Sequence, residues 1–99
     1  MKRPRPPSAR EVYQCLRDAA LGVSALRVEA HLGAGRVQIG IDAWQLTLEL
    51  DQHGLAHCLA CRSAAGGQAS SEHWPRHGSD PCELLSQWER TRIEQLLRD

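Results

Sequence analysis

In three runs between Leu26 and Leu50 the apolar residues recur at every second position, and this alternation constrains the fold of the chain more than any other feature. Leu26, Val28 and Ala30 alternate with Arg27, Glu29 and His31. Val37, Ile39 and Ile41 alternate with Arg36, Gln38 and Gly40, and Trp44, Leu46, Leu48 and Leu50 with Gln45, Thr47 and Glu49. A strand sends successive side chains to opposite faces, so each run predicts a strand with one oily and one polar side. The joins are short, at Gly33 to Gly35, Asp42 with Ala43, and Asp51 to Gly54, after which Leu55 to Leu59 can return as a fourth strand. Amphipathic strands joined by tight turns predict an antiparallel three- to four-stranded meander covered on one side only.

The cover comes from the two ends of the chain. Ser8 and Glu11 have the spacing of a capping box, Val12, Leu16, Ala19 and Val23, with Cys15 and Ala20 alongside, then recur at helical spacing, and Gly22 supplies a stop, so a helix is expected over 9–21. Cys15 reads there as a core residue. Asp80, Pro81 and Glu83 spell a second helix start, and a helix from Pro81 to Leu97 is expected. The predicted architecture is α+β in the order α-β-β-β-β-α, with an N-terminal and a C-terminal helix packed on one face. Residues 1–7, basic and proline-rich, are expected to form a disordered tail ahead of a single domain over 8–99, and residues 62–79 a long polar loop.

Twelve basic residues balance twelve acidic ones, which argues against a protein whose affinity comes from neutralising phosphates, so no direct nucleic-acid contact is expected. No apolar run follows the basic N-terminal residues, and none reaches the length that spans a membrane. A cytoplasmic chain with Cys15, Cys58, Cys61 and Cys82 reduced is therefore expected. A near-neutral domain of this size has little stability to spare, so self-association, as a homodimer, would help it.

Two clusters carry candidate chemistry. Cys58 and Cys61, followed by His73 and His77, come close to the spacing by which two thiolates and two imidazoles hold a tetrahedral zinc, with Cys82 as a substitute ligand. That pattern would make the chain a small zinc-stabilised structural or nucleic-acid-binding module. Against it, Ser63 to Ser71 offers only small residues where such a module builds its core, and Pro75 lies between the histidines. A redox pair at Cys58 and Cys61 would want its first thiol at a helix N-terminus, whereas a Gly- and Ser-rich segment follows. No phosphate cradle, nucleophile elbow or metal-hydrolase motif appears, and no enzyme is expected.

The second cluster is the last helix. At 100° steps Leu84, Leu85, Trp88, Ile93, Leu96 and Leu97 spread over more than half of its circumference, wider than one sheet needs. Either the helix packs inward on one flank and meets a partner on the other, or the whole stripe is internal and Glu89 pairs with Arg92. Trp44 and Trp88 read as core, while Trp74, in the polar loop, reads as an exposed contact. Leu84, Trp88, Ile93, Leu97 and Trp74 are the candidate partner-binding residues.

Taken together, Ser8-Ala9-Arg10-Glu11-Val12, Leu21-Gly22, Asp42-Ala43-Trp44, Cys58-Leu59-Ala60-Cys61 and Asp80-Pro81-Cys82-Glu83-Leu84-Leu85 through Trp88-Glu89 resemble a family of small pseudomonad proteins and, within that setting, a quorum-sensing antiactivator. The resemblance covers about residues 8 to 97. It implies a non-enzymatic, dimeric regulator that binds the ligand-binding domain of a LuxR-type (LasR-like) transcription factor, blocks its dimerisation and keeps it off DNA. No short motif carries that activity, so no interface residue follows from it.

Overall fold

A computed structural model describes residues 5–74 and 80–98. Helix α1 (Ala9–Ala20) leads into strands β1 (Leu26–Gly33), β2 (Arg36–Ile41), β3 (Trp44–Asp51), β4 (Gly54–Arg62) and β5 (Gln68–Ser70). A 3-10 turn (Ser71–His73), a short helix α2 (Pro81–Leu84) and helix α3 (Gln87–Arg98) follow. The strands form one antiparallel sheet in sequence order, β1-β2-β3-β4-β5. The α+β meander covered by terminal helices is thus observed, with one strand more than expected. β5 pairs with Ala60, Cys61 and Arg62 inside what the sequence suggested was a polar loop. Only Ala69 of its residues faces the core, so it carries no alternation to detect.

Local chemistry starts α1 as expected. The Glu11 N–H donates to Ser8 Oγ at 3.1 Å and the Ser8 N–H to the Glu11 carboxylate at 3.1 Å, while Arg5 pairs with the same carboxylate at 2.9 Å. These donors hold the Glu11 pKa below its ordinary value, with the Ser8 backbone bond the largest cause. Of the expected tail, residues 1–4 lie outside the described residues; Pro7 is buried, and the Arg5 carbonyl lies against Gly67.

The core lies between one sheet face and the helices. Ile39, Ile41, Leu46, Leu48 and Leu55 meet Val12, Leu16 and Ala19 of α1 and Ile93 and Leu97 of α3, all buried. Trp44, read as core, is only partly buried at its margin. The β2–β3 hairpin is pinned where Leu50 N–H donates to the Gly35 carbonyl at 2.7 Å; Gly35 has φ +77°, and a Cβ there would strike the Leu50 carbonyl.

The expected helix from Pro81 to Leu97 breaks. Leu85 is extended (φ −72°, ψ 143°), and Ser86 begins a second capping box: Glu89 N–H donates to Ser86 Oγ at 3.2 Å and Ser86 N–H to the Glu89 carboxylate at 2.8 Å. Competition from this local bonding ends α2 after one turn.

Candidate functional site

The capping box sets which side of α3 faces inward. Glu89, Ile93 and Leu97, spaced by four, are all buried. Trp88 lies one residue, about 100°, away from that line. Read as core from the sequence, Trp88 is corrected to a surface residue: it leaves 59% of its surface exposed, and Leu84, at the end of α2, leaves 42%. Between them Leu85 turns into the core. Ile93 and Leu97, expected at a partner interface, are corrected to core residues, because α3 presents that line to the sheet and α1. Glu89 pairs with Arg17 of α1 at 3.2 Å rather than with Arg92, whose guanidinium reaches Gln95.

Trp74 is also corrected. It is 6% exposed, and its indole N–H donates to the Cys58 carbonyl at 3.3 Å. The reason is the sheet edge: β5 covers β4 only over Ala60 to Arg62, so the backbone of Cys58 and Leu55 needs other partners. Trp74 takes the Cys58 carbonyl, and the Asp80 carboxylate accepts the Cys58 N–H at 3.1 Å and the Cys82 N–H at 2.9 Å. At Leu55, Glu94 accepts the N–H at 3.0 Å and Arg90 donates to the carbonyl at 2.8 Å. The helical arm carrying Leu84 and Trp88 is therefore bonded to the sheet at several points.

Asp80 is the most enclosed polar member of that lattice. Burial pushes its pKa up, while its bonds from Cys82 and Cys58, and His57 Nδ1 at 3.9 Å, work in the opposite direction. The Asp80-Pro81 cap was visible in sequence, but its reach to Cys58, like the reach of Arg90 and Glu94 to Leu55, depends on tertiary neighbours with no local signal.

The described members of the cysteine and histidine set do not converge as the spacing suggested. Cys58 and Cys61 face the core, whereas His73 is exposed, its Nδ1 accepting the Ser70 N–H at 3.1 Å on the 3-10 turn. His77 lies outside the described residues. Among the described residues no three His, Cys, Asp or Glu side chains converge as metal ligands. Cys82, the substitute ligand, is enclosed in α2, and burial raises its thiol well above the ordinary range.

The other large apolar side chains exposed at the surface are Leu21 and Val23, just after α1, and Leu32 at the end of β1. Trp88 is the largest of the exposed apolar side chains, and it and Leu84 flank one helical junction. No helix among the described residues is long and apolar enough to cross a membrane. The family described as Domain of unknown function (DUF7693) matches residues 7–99, and the chain belongs to it. No curated protein and no solved structure matches the chain.

Proposed function

We propose that this member of the DUF7693 family is a non-enzymatic regulator that binds another protein through the face made by Leu84 and Trp88. The observation that carries the reading is the exposure of Trp88, a large side chain standing in water just past the α2–α3 junction that the exposed Leu84 precedes, while Leu85, Ile93 and Leu97 are enclosed. Tryptophan is enriched among the few residues that dominate binding energy, because one side chain removes much apolar surface from water at little entropic cost. Anchorage of the arm by Asp80, Arg90 and Glu94 supports a preformed surface, which reduces the ordering cost of association.

The proposed partner is the ligand-binding domain of a LuxR-type transcription factor, taken from the likeness to QslA-type antiactivators. The mechanism is competitive. Covering an apolar dimerisation surface shifts the receptor to a monomer, and a monomer lacks the paired half-site contacts of specific DNA binding. A homodimer is proposed as the active form, and the outer edge of β1, the longer of the two edge strands of the sheet, is the edge proposed to meet a second copy.

Light scattering during size-exclusion chromatography of the chain mixed with such a receptor domain tests this. A mixed complex should replace the receptor dimer, and the receptor should release paired half-site DNA. A receptor that stays dimeric and DNA-bound at saturating protein would remove it as the partner, whereas binding left intact by Leu84→Glu would remove the face.

A further inference from the structure

We infer that Cys58 and Cys61 form a peroxide-responsive dithiol that closes to a disulfide within the folded chain. This stands apart from partner binding and rests on the irregularity of β4. On a regular strand, residues three apart point to opposite faces and lie roughly 10 Å from each other, too far to bridge. Here Cys61 pairs with Leu46, Ala60 with Thr47 and Cys58 with Leu48, so three steps of β4 run beside two steps of β3. The extra residue forms a β-bulge, and both cysteines come to face the same core side as Leu46 and Leu48. Two strand steps cover roughly 6.6 Å, within the Cα separation of about 4.4–6.8 Å that a disulfide bridges.

The two sulfurs are also unequally enclosed. The Cys58 thiol is fully enclosed and donates to the Ala60 carbonyl at 3.5 Å. Cys61 retains a small opening to solvent, 5% of its surface. Cys61, the less enclosed of the two, is the sulfur that meets the oxidant, and Cys58 the one that resolves it.

The co-reactant is a peroxide. The Cys61 thiolate attacks one peroxide oxygen, the O–O bond breaks, and the departing hydroxide takes a proton and leaves as water. The Cys61 sulfenic acid is then attacked by the Cys58 sulfur as its thiol proton is lost. The S–O bond breaks, a second water leaves, and the S–S bond forms. Two electrons pass from the thiols to the peroxide, and a dithiol reductant reverses the change.

The test is to expose the folded, full-length chain to hydrogen peroxide, alkylate the remaining thiols, and map linkages by mass spectrometry. A Cys58–Cys61 link with the loss of two hydrogens is expected, reversed by dithiothreitol and retained in Cys15→Ser and Cys82→Ser. The map of the unaltered chain decides the matter even where a Cys61→Ser variant fails to fold. Four alkylatable thiols after treatment, a bond to Cys15 or Cys82, sulfinic acid at Cys61 without a crosslink, or a link formed only in denaturant would each overturn the inference.

Discussion

Leu84 and Trp88 share one helical arm with Ile93 and Leu97, and their apolar character is comparable, yet the first pair stands in water and the second is enclosed. The difference is one of phase. The buried line of α3 runs through Glu89, Ile93 and Leu97, and it admits a carboxylate because Ser86 and Arg17 satisfy it. Trp88, beside that line, is left outside. An apolar residue on an amphipathic helix therefore says little about burial until the polar contacts that orient the helix are known.

The comparison breaks most sharply at Ile93. Truncation to Ala should cost about 2–5 kcal/mol of stability, because it empties a filled site and the surroundings relax only in part. Urea unfolding followed by far-UV circular dichroism measures this; a cost below about 1 kcal/mol would mean that α3 is not anchored where it appears.

Asp80→Ala should follow, at about 1–3 kcal/mol, since it strips acceptors from the buried N–H groups of Cys58 and Cys82. The same carboxyl gives a pH signature. Burial raises its pKa in the folded state, so the folded chain holds that proton more tightly than the unfolded chain. Its contribution to stability therefore falls as pH rises from the unfolded to the folded pKa, then stays level. Glu11, whose pKa is lowered, acts with the opposite sign: its stabilisation is present above the unfolded value and lost as pH falls through the folded one. Asp80→Asn should remove the first trend and leave the second, as judged from urea midpoints across the acid range.

Ser86→Ala should cost about 0.5–2 kcal/mol by removing the cap that starts α3 and sets its phase. The smallest effects belong to the outer face. Trp88→Ala and Leu84→Glu should change stability by no more than about 0.5 kcal/mol, and a larger loss for either would erase the contrast with Ile93.

The strands and α1 were legible because their patterns are local: alternation from Leu26 to Leu50, and Ser8 with Glu11 at a helix start. The break in the arm was legible too, since Ser86 and Glu89 repeat the Ser8 and Glu11 spacing, but a continuous apolar wheel concealed it. What stayed hidden was long-range. The bulge that turns Cys58 and Cys61 to one face follows from pairing with β3, and Trp74 is buried because the short β5 leaves Cys58 in need of partners. Glu89 looked like a gap in the stripe because Arg17, its partner, lies on another helix.

The most direct measurement is a calorimetric titration of the receptor's ligand-binding domain with the unaltered chain and with the Leu84→Glu, Trp88→Ala double variant. The expected result is a loss of affinity of about thirtyfold or more, the size of one interface hot spot, with the urea midpoint unchanged. Equal affinity for the two chains, both folded, would contradict the assignment of this face.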